Sequence, residues 1–342
     1  MKDLIKSAIG SKKTLILVAA ISAATLSHSA MCAALPGEGR TATPVGIPLD
    51  EEIFQYQVVT IGLEKLGYKV KDVSQVQTPI AFLSIANGDV DFNADAWIPQ
   101  HNTFYEKAGG DSMMVKLGPL SEGALQGYLI DKKTMDKYGI KSIDQLKNPE
   151  IAKLFDIDGD GKADLTGCEP GWGCEKIVEK QLDAYGLRAT VHHNQGSYFA
   201  LMANTISRFK EGKPILYYTW TPLWVSGVLV PGKDVEWLTV SHTALPEDMK
   251  GIPTTLPDGR NLGFPVNDQY VVANKKFIEE NPAAKKLFES IKISVDDINA
   301  QNLKMRDGQN SQAAIRKHAE EWVKAHQSEF DQWINEAKLA VK

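Results

Sequence analysis

The chain has 342 residues with 38 basic against 43 acidic side chains, 43% hydrophobic and 24% charged, which is the make-up of a folded globular protein and not of a disordered one. At about 150 residues per domain this length gives one large or two medium domains, each able to bury a core. A net charge of −5 with no clustered basic face excludes nucleic acid as the expected partner.

The first segment reads as a leader. Lys2, Lys6, Lys12 and Lys13 precede the apolar run Thr14 to Leu26, and small residues follow as far as Ala34. That pattern predicts a signal peptide over 1–33 and a periplasmic product. The run is too short to span a bilayer, and nothing later in the chain approaches 18 uninterrupted apolar residues. Cleavage between Met31 and Leu35 removes four lysines and Asp3, so the product is more acidic than the precursor. It also removes Cys32. A lipid-modified Cys32 is the rival reading, weakened because Met31 occupies the place where a small residue is wanted. The remaining cysteines, Cys168 and Cys174, have five residues between them, and in an oxidising compartment such a pair reads as a disulfide before a metal site.

From Thr41 short β-type runs alternate with helical ones, which predicts an α/β fold with mostly parallel strands. Residues 41–47 read as a strand. Asp50 then caps a helix whose Phe54, Val58, Ile61 and Leu66 keep helical spacing and which ends at Gly67. A strand over 68–73, a helix over 79–86 and a strand over 90–94 complete a βαβαβ unit. A strand over 123–130 is followed by Lys-rich helices at 132–139 and 143–154. After the Gly/Asp/Cys-rich stretch 156–174 come helices at 175–185 and 197–210 and the apolar strand 214–219. Strands resume at 234–240 and 268–273, and everything beyond Asn274 reads as helix. The expected organisation is two lobes, lobe I from 34–124 plus 239–342 and lobe II from 125–238.

Trp97-Ile98-Pro99 and Trp220-Thr221-Pro222 each follow a predicted strand. Ligands in open sheets sit beyond strand ends, so both rings are aimed where a cleft would form, although Trp-x-Pro also serves simply to stopper a strand with a buried ring. The loop Cys168 to Cys174 carries Trp172, and a disulfide across it would fix that ring. Constraining so short a loop is worth only about 2 kcal/mol, so the placement of Trp172 is the larger return. Gly173 and Cys174 precede a predicted helix and can offer backbone N–H groups to a carboxylate. His101, four residues beyond Trp97, could add a side-chain donor or be an ordinary capping residue. A quaternary ammonium has no N–H to donate and is best held over aromatic faces. Three tryptophans with an anion site therefore describe a small zwitterion. Trp237, Trp322 and Trp333 fit core packing better, and Trp224 lines the cleft or packs behind it.

The stretches AWIPQH (96–101), DGDGKADLTGCEPGWGCE (158–175), HNQGSYFALMANTISRFKEGKPILYYTWTPLWV (193–225) and NPAAKKLF (281–288) resemble the ProX family, the periplasmic glycine betaine-binding proteins of ProU-type ABC transporters. The similarity runs along essentially the whole chain after the leader. It implies a two-lobed periplasmic-binding-protein fold of type II that closes on glycine betaine or proline betaine. It implies that Trp97, Trp172 and Trp220 box the quaternary ammonium, that His101, Gly173 and Cys174 hold the carboxylate, and that Cys168 and Cys174 form the family disulfide. The sequence departs from the family pattern at Asp95-Ala96 and at Gln100. The implied partners are the permease and ATPase subunits of an ABC importer serving osmoprotection. The receptor itself is expected to be a monomer without a cofactor.

Asp156, Asp158, Asp160, Gly161 and Asp164 match the first nine positions of a calcium loop, but position twelve is Gly167 where a bidentate Glu is normal. A weak calcium site and an Asp/Gly-rich solvated turn are the two readings. His192-His193 are adjacent and cannot converge on one ion without other ligands. No nucleophile with a base and no phosphate loop is visible, so the chain reads as a receptor and not an enzyme. A receptor for choline or carnitine is the alternative within binding, and a calcium-dependent secreted hydrolase is the alternative outside it.

Overall fold

The computed structural model describes residues 34–341; the leader over 1–33, with Cys32, lies outside the described residues. Eight strands of three residues or more occur among the described residues: β1 (Phe92–Ile98), β2 (Met114–Ala124), β3 (Gln126–Asp131), β4 (Ala163–Thr166), β5 (Val191–Asn194), β6 (Leu216–Trp220), β7 (Val235–Trp237) and β8 (Asn267–Asn274). The helices of nine residues or more are α1 (Ile53–Lys65), α2 (Thr78–Asn87), α3 (Gly173–Ala184), α4 (Tyr198–Lys210), α5 (Pro282–Ser290), α6 (Val295–Arg306), α7 (Gln312–Ala325) and α8 (Gln327–Leu339). The fold is the expected two-lobed α/β arrangement with a sheet in each lobe.

The strand pairing is more mixed than the expected mostly parallel sheet. The first sheet runs β1-β8-β2 and is antiparallel throughout, with β8 in the centre. The second runs β7-β3-β6-β4-β5, antiparallel across β7-β3-β6 and parallel across β6-β4-β5. The strand expected over 41–47 is two short pieces, Thr41–Ala42 and Val45–Gly46, each paired in parallel with a neighbour. Pro44 stands between them and has no N–H to contribute to a ladder. Asp50 is not a cap. It opens a 3₁₀ turn, Asp50–Glu52, that leads into α1 without any side-chain capping bond. Pro79 near the start of α2 and Gly88 at φ 79° after it act as its start and stop signals.

Each sheet has its own core. Phe54 and Val58 of α1, Phe92 of β1, Leu287 and Phe288 of α5 and Ile334 of α8 are buried together on the first sheet. Phe92 and Phe288 meet at 4.9 Å between ring centres, and truncating such a buried ring to alanine costs about 3–5 kcal/mol. The second core gathers Tyr128, Ile130, Leu165, Ile177 and Tyr217. It also takes in Leu238, Val240, Leu245, Leu262 and Phe264, from the segment returning toward β8.

Candidate functional site

Trp97 lies inside β1, paired with Gln269 of β8, and is 7% exposed. The strand runs four residues further than 90–94 predicts, because its continuous burial matches a strand covered on both faces. The chain then turns at Pro99, whose peptide bond with Ile98 is cis. His101 closes the turn: its backbone N–H donates to the Trp97 carbonyl at 2.7 Å, and its Nδ1 accepts from the Trp97 N–H at 3.2 Å. Because Nδ1 accepts, the neutral ring carries its hydrogen on Nε2. Burial holds the imidazole neutral by pushing its pKa down to about 4, and Phe82 packs edge-on against it at 5.9 Å.

The Cys168–Cys174 disulfide is formed, with Cα atoms 6.1 Å apart. Gly171 at φ 90° makes the turn beneath Trp172. Side chains anchor the loop at both ends. The Cys168 N–H donates to His193 Nε2 at 3.1 Å, the Gly171 N–H donates to Glu175 Oε2 at 2.7 Å, and Glu169 Oε1 accepts from the Tyr198 N–H at 2.8 Å. Helix α3 begins at Gly173, two residues earlier than predicted, with Trp172 at its N-cap. Gly173 and Cys174 are therefore its first two residues, whose amides have no acceptor within the helix. A Cβ on Gly173 would lie 2.9 Å from the Gln100 side chain, so only glycine lets these two walls approach so closely.

Trp220 ends β6, is 5% exposed, and precedes a second cis peptide bond at Thr221-Pro222. Its ring meets Trp172 at 5.4 Å with planes at 79°, and Tyr198 at 4.7 Å. Trp97, His101, Trp172, Gly173, Cys174 and Trp220 all line one open-mouthed cleft of about 460 Å³, measured to include solvent at its mouth. Ile47, Leu49, Glu52, Thr78, Gln100, Gln126 and Tyr218 complete it. A hydrogen-bond chain crosses its floor: Tyr218 donates to Gln126 at 2.6 Å, Gln126 to Gln100 at 2.7 Å, and the Gln100 N–H to Asn267 at 2.9 Å. Tyr218 is not among the residues expected from the sequence, although its place two residues before Trp220 puts it on the same strand face. Glu52 and Gln126 carried no sequence signal.

Trp224 stands outside that cleft. Its Nε1 donates to Glu51 Oε1 at 3.1 Å, Phe199 stacks on it at 6.0 Å, and the Arg306 guanidinium lies over its ring at 5.9 Å. Burial pushes the Glu51 carboxyl up to about 7 against the lowering effect of this bond.

Asp156, Asp158 and Asp160 cluster in the 156–164 loop. Each of their carboxylates accepts from the loop's own amides, Asp156 through both oxygens and Asp158 and Asp160 through one. Asp156 accepts from Gly159 and Gly161 at 2.7 and 2.9 Å, Asp158 from Asp160 at 3.1 Å, and Asp160 from Lys162 at 2.8 Å. Asp164 points inward, accepting from Ile157 and from Asn194 at 2.9 Å. His193 has both ring nitrogens engaged, one by Cys168 and the other 2.7 Å from Glu179, whereas His192 is exposed near Asp158 and Asp164.

An aromatic-walled cleft with one neutral imidazole donor and the start of a helix defines a solute receptor. The chain matches, over residues 41–325, the family model described as the substrate binding domain of ABC-type glycine betaine transport system, and it belongs to that family. It is 54% identical to the glycine betaine-binding periplasmic protein OusX of Dickeya dadantii, covering 90% of this chain and 93% of that protein. It is also 54% identical to the glycine betaine/proline betaine-binding periplasmic protein of Escherichia coli, covering 96% and 99%. Lactococcal OpuAC, in its closed-liganded conformation with glycine betaine, shares the fold at a TM-score of 0.64 and 24% identity, over 86% of this chain and 99% of that one.

Proposed function

We propose that this protein is a periplasmic receptor that captures glycine betaine and proline betaine and delivers them to the permease and ATPase of an ABC importer for osmoprotection, acting as a monomer. The observation that carries the reading is the convergence of Trp97, His101, Trp172, Gly173, Cys174 and Trp220 on one cleft from three separate stretches of chain. The quaternary ammonium sits among the three indoles, each contact worth about 0.5–2 kcal/mol once desolvated. The carboxylate takes His101 Nε2–H and the amides of Gly173 and Cys174, where the helix dipole also favours an anion. Choline has no carboxylate for that second end. Lobe I comprises 34–124 and the C-terminal part, and lobe II begins at 125. Because 238–264 packs in the second core, we place the return to lobe I near β8 and not at 239.

Calorimetry with glycine betaine, proline betaine, choline, carnitine and proline tests the reading. The two betaines are expected to bind most tightly, and Trp172→Ala to weaken them by about twofold to thirtyfold. Equal binding by choline, or an unchanged Trp172→Ala variant, would overturn it.

A further inference from the structure

Beneath the cage lies a pair of carboxyl groups that the betaine reading does not use. Glu52, from the 3₁₀ turn before α1, lines the cleft yet is only 4% exposed, and Asp95 of β1 is 2% exposed. Neither Glu52 oxygen has a hydrogen-bond partner, and neither does Asp95 Oδ1. Asp95 Oδ2 has one long contact, from Gln55 Nε2 at 3.4 Å. Leaving three buried carboxyl oxygens unpartnered is costly, and two acceptors cannot satisfy one another unless one carries a proton.

The surroundings supply no counter-charge. The titratable or charged side chains around Glu52 are Asp50 and Glu51 on its own turn, Tyr56 on α1, Asp95 on β1 and His101 beyond it. No Lys or Arg lines the cleft among the described residues. His101 is neutral, so the ligand's carboxylate would meet only neutral donors. Glu52 is the one carboxyl group in the lining, and so the one group there that could supply a negative charge to the cationic end near neutrality.

We propose that Glu52, backed by Asp95, is the charge partner of the ligand's cationic end, and that the pair loses a proton to solvent when a quaternary ammonium enters. This rests on the betaine reading above. The bookkeeping is simple: one O–H bond of the carboxyl pair breaks, the electron pair stays on the carboxylate, the proton goes to buffer, and the arriving cation replaces it. Burial raises both carboxyls above their ordinary range and the Asp95 charge raises Glu52 further, which keeps a proton on the pair near neutrality. Binding that favours the ionised form must strengthen as pH rises and must release protons. Asp95 tunes the device, because a like charge behind Glu52 makes its ionisation harder.

The experiment is calorimetry with glycine betaine between about pH 5.5 and pH 8, in phosphate and in Tris, whose ionisation heats differ. His101, held near 4, titrates below this window. Wild type is expected to bind more tightly as pH rises, with an apparent heat that depends on the buffer. Glu52→Gln, which keeps the shape, should bind about tenfold more weakly at pH 8, with no pH dependence and no buffer-dependent heat. Asp95→Asn should keep the pH 8 affinity and move the pH dependence lower, an effect a merely structural role would not produce. Wild-type binding that is flat with pH, or a Glu52→Gln variant matching wild type, overturns this inference while leaving the betaine reading intact. Wild type that binds no betaine overturns both.

Discussion

His101 shows how one side chain can be both structural and functional. Its Nδ1 is spent on the Trp97 amide, which orients the ring and leaves Nε2–H to donate. Burial lowers its pKa, so the unfolded chain binds the proton more readily than the folded one. The resulting stability is complete above the unfolded value near 6.5 and is lost as pH falls toward 4. His101→Gln should therefore lose about 2–4 kcal/mol less than wild type between pH 7 and pH 4, read from urea unfolding at each pH. A parallel loss in both proteins would show that the buried ring is not the titrating group. At this scale the tryptophans, the cysteines and His101 were legible because each belongs to a short motif. Tyr198 and Glu52 were not, since nothing local marks the first residue of a helix as packing behind two cage rings, or one Glu in an acidic turn as facing a cleft.

At the scale of elements, the sequence was read best where a single periodicity dominates and worst where prolines and turns cut it. α4 and the helical C-terminal region fall where their spacing predicts. The strand over 41–47 fails at Pro44, and the helix over 143–154 becomes short 3₁₀ and α pieces, Ile143–Lys147, Pro149–Ala152 and Lys153–Phe155. Pro149 takes the first helical position after Asn148, whose side chain accepts from Glu150. The Asp-rich loop makes the same point about chemistry: its spacing matches a calcium loop, yet its carboxylates are turned onto its own amides. We expect the thermal midpoint to be the same in chelator and in millimolar calcium. A rise of several degrees with calcium would establish a site at Asp156, Asp158, Asp160 and Asp164.

At the scale of the molecule, contacts link elements that pack on different sheets. Glu51 to Trp224 and Leu223 N–H to Asn299 at 2.8 Å join the chain before α1 and helix α6 to the segment after β6, and Gln126 to Gln100 joins β3 to the turn after β1. Trp224→Phe keeps an aromatic ring against Phe199 and removes the Nε1 donor, together with part of the surface under Arg306. That bond to a carboxyl is worth about 1.5–3 kcal/mol. If the link favours the closed arrangement, betaine affinity should fall by about threefold to tenfold, because closure then draws more on binding energy. Small-angle scattering should show a larger mean radius without ligand. Unchanged scattering and affinity would confine Trp224 to local packing. None of these cross-contacts could be read from sequence, since each joins residues more than twenty positions apart.

The bond between Cys168 and Cys174 also gives the protein a sense of place. While the chain is still in a reducing compartment, its two thiols leave the loop around Trp172 without covalent closure, and one wall of the cage is unset. Oxidation after export completes that wall. The loop that carries Trp172 is thus closed in the compartment where the receptor works.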